Sequence, residues 1–264
     1  MNRRPLPSRA LLALLVPAWL ASANCSETVD ILLPLYSYPS WYAPSTYLWD
    51  DVAAAASQVP ITAIVNPDNG PGGAPPNSDY DVGLTLLRDS GVTLVGYVYT
   101  SYGARDLAAV KADVDLYAGS WAVNGIFVDE VSSGAADLTY YQPLYDYIRA
   151  KPGLDRVVVN PGTHVDEGYV SAPASDVAVI FENGSGWSSY APDPYVASYS
   201  DERFAALGYG ITDVPTMQHF VDLAVQRNVG YVFVTDDTLP NPWDSLPPYW
   251  TDEVSYIAAH YPAP

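Results

Sequence analysis

Acidic residues end two of the apolar runs in this sequence. Asp129 and Glu130 close the run "NGIFVDE", and Glu182 follows three apolar residues in "VIFEN". Converging Asp and Glu residues suit glycoside hydrolysis, in which a protonated carboxyl donates to the leaving oxygen and an ionised partner attacks the anomeric carbon or activates water. Partial burial would raise the pKa of Glu182 and favour it as the acid. The alternative is structural, because an Asp after a strand often caps a helix and Glu182 could be a solvated loop acid.

The three acids are expected to play different parts. Successive side chains alternate across a strand, so Asp129 and Glu130 should not both face one site. One of them should point into the site and the other sideways, unless the strand has already turned. The leading hypothesis makes Asp129 the nucleophile, Glu182 the acid and base, and Glu130 a substrate-binding or pKa-tuning neighbour. Neither a metal nor a cofactor is expected, since these acids lack a recognisable metal-ligand spacing and the loop "NPDNGPGGAPP" lacks a phosphate-binding motif.

Eight apolar or β-branched runs must position these acids. Their starts are separated by about 21 to 32 residues, the length of one βα unit. The runs are continuous rather than alternating, which is typical of parallel strands covered by helices. The predicted strands are 29–38, 61–66, 92–99, 124–130, 156–160, 177–183, 204–211 and 229–236. This pattern predicts a single-domain α/β (β/α)8 barrel of the TIM type, with a doubly wound open sheet as the alternative.

Helical spacing fills the gaps between several of these runs. Residues 105–120, 139–151 and 215–228 carry apolar residues at helical intervals, and the last stretch has Pro215 near its start. We expect a helix after each strand of the barrel.

Functional residues of such barrels lie at the carboxyl ends of the strands. Besides the acids, these ends carry aromatic and amide side chains, which can stack on sugar rings and bind their hydroxyl groups. The predicted sugar contacts are Tyr36, Asn66, Tyr99, Asn160 and Trp243.

Composition narrows the classes of ligand. The 264 residues carry a formal charge of −19, with 22 Tyr and 7 Trp. This charge makes nucleic acid and anionic membranes poor partners and would attract a cationic ligand, although acidity also serves solubility alone. The excess of Tyr and Trp favours a carbohydrate site.

Residues 1–23 have the pattern of a secretory signal peptide. A basic start with Arg3, Arg4 and Arg9 precedes the apolar stretch "ALLALLVPAWLA", and "ASA" suits cleavage after Ala23. An N-terminal anchor helix is the alternative, but the apolar run is shorter than a bilayer requires. We expect a secreted, monomeric protein whose single domain comprises residues 24–264, without membrane insertion after the signal is removed.

Several segments in order resemble the spherulin-4 family of secreted proteins. They are "PLYSYP", "NPDNGPG", "GYVYTSYGARD", "YAGSWAVNGIFVDEVSS" and "IFENGSGW". The resemblance implies a (β/α)8 glycoside hydrolase similar to fungal enzymes that cleave α-1,4-linked N-acetylgalactosamine or galactosamine in galactosaminogalactan. The family's Asp-Glu pair and its later Glu correspond here to Asp129, Glu130 and Glu182. Partly deacetylated polymer of this kind is cationic, in agreement with the acidic chain.

The leading hypothesis is therefore a secreted, endo-acting glycosidase. Two rivals remain. One is a carbohydrate-binding or cell-wall protein that kept the barrel without turnover, and the other is a hydrolase of a different polysaccharide on the same barrel.

Overall fold

Eight parallel strands form a closed barrel in chain order, β1 to β8. The computed structural model describes residues 28–39 and 48–263. The strands are β1 Asp30–Leu35, β2 Ile61–Val65, β3 Thr93–Tyr99, β4 Gly125–Asp129, β5 Arg156–Val159, β6 Val177–Asn183, β7 Phe204–Gly208 and β8 Tyr231–Val234. All eight predicted strands are confirmed, and closure between β1 and β8 excludes the open sheet.

The strands are apolar on both faces because each is buried on both faces. Every residue of β2 and β7 is buried, and β3 and β4 are buried except near their ends. Helices cover the outer face of the barrel, as the continuous apolar runs indicated.

Seven α-helices lie in the described part of the chain. They are α1 Leu48–Ala55, α2 Ser78–Asp89, α3 Leu107–Leu116, α4 Leu138–Arg149, α5 Gly168–Ser171, α6 Val214–Gln226 and α7 Trp250–His260. Asn77, Asp106 and Asp213 cap α2, α3 and α6 by accepting hydrogen bonds from backbone N–H groups of the first turn. The three helices predicted from spacing correspond to α3, α4 and α6.

The prediction of a helix after every strand is wrong on one side of the barrel. The connection after β5 contains only the four-residue α5, and the one after β6 contains short 3-10 turns at Trp187–Ser189, Pro194–Ser198 and Asp201–Arg203. Two glycines and two prolines lie between residues 184 and 194, and both residue types oppose a continuous helix.

Three strands are shorter than the sequence predicted. The predicted runs 29–38, 204–211 and 229–236 exceed the observed strands by several residues, because the chain enters loops that remain rich in apolar and aromatic side chains. The predicted signal peptide, residues 1–23, lies outside the described residues. Within the described ranges, no helix is both long and apolar enough to cross a membrane.

Candidate active site

A cavity of about 490 Å³ opens at the carboxyl ends of the strands. Its wall combines carboxylates, amides and aromatic rings, as expected for a site that binds a polar ring compound. All eight strands, or the loops that follow them, contribute residues. These residues are Pro34, Tyr36, Asn66, Asn69, Tyr97, Phe127, Asp129, Asn160, Glu182, Leu207, Tyr209, Leu239, Pro240, Asn241, Pro242 and Trp243.

Asp129 faces this cavity from the last position of β4. Phe127, two residues earlier on the same face of the strand, also lines it. The carboxylate accepts one hydrogen bond from the Tyr97 hydroxyl at 2.7 Å and one from Asn160 Nδ2 at 2.9 Å. Asp129 is therefore held in one orientation by donors from β3 and from the residue that follows β5.

Glu182 faces the cavity because β6 contains a bulge. The register shifts between Val179 and Phe181, so that Val179 pairs with Ala205 but Glu182 pairs with Leu207, which lines the cavity. In a regular strand, Glu182 would point away from the face that carries Val179. The extra residue reverses that direction, and Phe181 instead packs outward against Trp187 and Phe220.

Asn160 joins the two acids. Its Nδ2 donates to Asp129 Oδ1 at 2.9 Å and to Glu182 Oε2 at 2.5 Å. These two oxygens are thus no more than about 5.4 Å apart, the sum of the two donor–acceptor distances. The Asn160 side-chain oxygen is itself buried and accepts no hydrogen bond from the described residues.

Burial raises the pKa of both carboxyl groups. For Glu182 the pKa reaches about 7, through burial first and the charge of Asp129 second, against the opposing hydrogen bond from Asn160. Burial also raises the pKa of Asp129, but hydrogen bonds from Tyr97, the Glu130 backbone and Asn160 oppose it. Asp129 accepts three hydrogen bonds and Glu182 accepts one. When the pair holds a single proton, these bonds favour Asp129 as the ionised carboxylate and Glu182 as the protonated acid.

Tyr97 remains a hydroxyl donor in this arrangement. Burial, together with the charge and hydrogen bond of Asp129, raises the pKa of Tyr97 far above its ordinary value. Tyr97 was not among the predicted contacts. It lies on the same face of β3 as the predicted Tyr99 but two residues earlier in the strand. Alternation along a strand predicts which face a side chain is on, but not which position along the strand lines the cavity.

Glu130 and Tyr99 were predicted at the site but are not part of this cavity's described wall. Glu130 has a left-handed backbone, with φ of 49°, so the chain turns directly after Asp129. Its carbonyl accepts hydrogen bonds from Thr100 Oγ1 at 2.8 Å and from the Tyr102 N–H at 2.7 Å. The Tyr99 ring lies under the Arg105 guanidinium, 4.2 Å from the ring centroid.

The other predicted sugar contacts do line the cavity: Tyr36, Asn66, Asn160 and Trp243. Sequence reasoning missed Asn69, Tyr209 and Asn241, which come from the loops after β2, β7 and β8. Only a loop's path decides which of its residues reach the cavity. Across the described residues, no group of three or more His, Cys, Asp or Glu side chains is arranged to hold a metal ion.

The model of spherulation-specific family 4 matches residues 30–257. The chain belongs to this family. Spherulin-4 of Physarum polycephalum is 35% identical over 250 residues, which cover 90% of this chain and 73% of that protein. The match includes all the strands of the barrel and the residues of the cavity.

Solved structures show the same fold. The crystal structure of Aspergillus clavatus Sph3 in complex with GalNAc has a TM-score of 0.75 and 26% identity, covering 88% of this chain and 98% of that one. The chitinase of Chromobacterium violaceum has a TM-score of 0.55 and 12% identity, covering 88% and 99% of the two chains, and shows the fold alone. The chain thus has the single (β/α)8 barrel of Sph3-like carbohydrate-active proteins.

Proposed function

We propose that this protein is a secreted glycoside hydrolase that cleaves within a chain of α-1,4-linked N-acetylgalactosamine or galactosamine. The observation that carries the proposal is the pair of buried carboxyl groups, Asp129 and Glu182, held by one amide at the base of a cavity. The similarity to Sph3, crystallised with GalNAc, supports the sugar class. The acidic chain supports a polymer that carries free amino groups.

The distance between the acids favours retention of configuration. Retaining enzymes hold their carboxyl groups about 5 to 5.5 Å apart, whereas inverting enzymes leave about 6.5 to 9.5 Å for a water molecule. The two Asn160-bound oxygens are at most about 5.4 Å apart, which lies below the inverting range and supports the first class.

The reaction then has two steps. Glu182 donates its proton to the glycosidic oxygen while an Asp129 oxygen attacks the anomeric carbon, which breaks the glycosidic bond and forms a glycosyl ester. In the second step Glu182, now a carboxylate, takes a proton from water as the water oxygen attacks the same carbon and releases Asp129. The retaining reaction ends with both acids in their starting states.

Neighbouring side chains orient the acids and bind the sugar. Tyr97 and Asn160 keep Asp129 ionised and oriented through their hydrogen bonds to its carboxylate. Tyr36, Asn66 and Trp243 provide sugar contacts from the cavity wall. Glu130, just beyond the wall, adds negative charge that raises the pKa of Asp129 and could contact a sugar in the next position.

Product analysis tests the proposal. Purified mature protein is incubated with galactosaminogalactan and, separately, with chitosan and cellulose, and the released products are identified by mass. We expect a ladder of hexosamine oligosaccharides from the first polymer, with the α-anomer formed first in the proton NMR spectrum. A protein that binds the polymer without releasing oligosaccharides would instead be the non-catalytic rival, and release from another polymer would replace the substrate.

A further inference from the structure

A second cavity, of about 300 Å³, lies beside the loop that follows β2. We call it the rim cavity. Its wall includes Tyr38, Pro67, Asp68, Pro76, Tyr80 and Trp121. This volume is at the lower end of the range for small-molecule sites, about 300 to 1,000 Å³, and suits one sugar ring.

The rim cavity and the catalytic cavity share one loop. Asn66 and Asn69 line the catalytic cavity, whereas Pro67 and Asp68, between them in sequence, line the rim cavity. Asn66 Oδ1 accepts a hydrogen bond from the Gly70 N–H at 3.1 Å, which closes the loop on itself. The two cavities are therefore neighbours on either side of one loop.

Tyr38 offers the rim cavity an ordered aromatic surface. Half of the residue is exposed, at 50%. Its hydroxyl donates to Asp79 Oδ2 at 2.7 Å and accepts from Asn77 Nδ2 at 3.1 Å, and its ring meets Tyr80 edge to face at 5.3 Å. An aromatic ring fixed before binding loses little entropy when a sugar stacks on it.

The opposite wall is similarly restrained. Trp121 Nε1 donates to the Gly73 carbonyl at 2.9 Å, which ties the loop to the end of the segment that follows α3. Prolines at 67, 71, 75 and 76 fix φ along the same loop. The cavity is thus shaped before a ligand arrives.

Asp68 gives the rim cavity its charge. The side chain is exposed on the loop and lines the cavity. We propose that the rim cavity is an accessory subsite for one hexosamine unit with a free ammonium group, whose ring stacks on Tyr38 and whose ammonium pairs with Asp68. The proposal rests on the proposed function, since the ligand is another unit of the same polymer.

Binding to a catalytically silent protein tests the subsite. In an Asp129→Asn background, titration calorimetry measures the affinity for an α-1,4-linked galactosamine octasaccharide and for its fully N-acetylated form. We expect Tyr38→Ala to weaken binding of the free-amine form about five- to tenfold, the size of one aromatic contact. Asp68→Asn should weaken binding of the free-amine form about threefold and leave the N-acetylated form unchanged, since an exposed ion pair contributes little.

Matched variants control for charge and folding. Asp155→Asn removes an exposed charge just before β5, at the opposite end of the barrel, and should leave both affinities unchanged. If Tyr38→Ala lowers the thermal midpoint, Tyr38→Leu takes its place, because it keeps apolar packing against Tyr80 and removes the aromatic face.

Two results would overturn the subsite: unchanged octasaccharide affinity when the Tyr38 ring is removed, or equal loss for both sugar forms in Asp68→Asn. Hydrolysis by the wild type is a separate readout. Tyr38-dependent binding without product release would keep the subsite and refute the hydrolase, whereas product release with Tyr38-independent binding would do the reverse.

Discussion

Glu182 and Glu253 are two buried carboxyl groups in different surroundings. Burial raises the pKa of Glu182 to about 7 and that of Glu253 to about 8. Glu182 borders the 490 Å³ cavity and shares Asn160 with Asp129. Glu253, in the first turn of α7, is 0% exposed, and its Oε1 accepts a hydrogen bond from the Val234 N–H at the end of β8.

The comparison shows that a raised pKa marks a candidate and not a site. Desolvation acts on both groups, and a proton held near neutral pH is available at either. Chemistry also needs a route for substrate and a second group at the right distance, which the described structure gives to Glu182. Glu253 instead pairs a strand N–H group that would otherwise be buried without a partner.

The largest expected effect separates the two groups by turnover. Glu182→Gln should lower kcat by about 10²- to 10⁴-fold through loss of the general acid, and Asp129→Asn by at least as much. Glu253→Gln should leave kcat unchanged. Steady-state rates on galactosaminogalactan measure this, with circular dichroism to check folding. Near-wild-type rates in either cavity variant would refute the assignment.

Glu253 should affect the pH dependence of stability, although it should not affect turnover. The folded pKa of Glu253, about 8, exceeds the ordinary 4.5, so the folded state binds more protons between these values and the free energy of unfolding falls as pH rises through that window. Glu253→Gln removes this titration while keeping an acceptor for Val234 N–H. We expect its stability relative to wild type to increase from pH 5 to pH 9 by a few kcal/mol, at about 1.4 kcal/mol per pKa unit.

Urea unfolding at several pH values gives the measurement. A constant difference between Glu253→Gln and wild type across this range would mean that the Glu253 carboxyl ionises as readily in the folded as in the unfolded chain.

The pH profile of activity sharpens the comparison further. Glu182 must be protonated to act as the acid, so kcat/KM should fall about tenfold per pH unit above about 7. Glu253→Gln should keep the same alkaline limb. If the alkaline limb disappears in Glu253→Gln, the limb reports the titration of Glu253 and the assignment to Glu182 is wrong.

Tyr97→Phe should have the smallest effect. The change removes the 2.7 Å hydrogen bond to Asp129 and keeps the ring, so the pKa of Asp129 should rise. We expect the acidic limb of the profile to move to higher pH and kcat to fall about tenfold, the order of a hydrogen bond to a charged group. Tyr99→Phe is the matched control, and an equal loss there would argue against a specific bond to Asp129.

Much of the barrel could be predicted from the sequence because its signals are local. Continuous apolar runs at βα intervals gave all eight strands, and the polar residues after them gave four of the five predicted sugar contacts in the cavity wall. The resemblance of several short segments, in order, also indicated the family. Loop paths could not be predicted this way, so Asn69, Tyr209 and Asn241 were missed, as was the connection after β6 that has 3-10 turns in place of an α-helix.

Sequence by itself determined that Asp129 and Glu182 end two strands of a barrel. Tertiary structure decided that Glu182 faces the cavity, because the bulge between Val179 and Phe181 is defined by pairing with β7. It also turned the chain at Glu130 through a left-handed residue held by the loop after β3. Alternation along a strand is a local property, whereas register and burial depend on partners distant in the chain, and these partners bring two acids 53 residues apart to one amide.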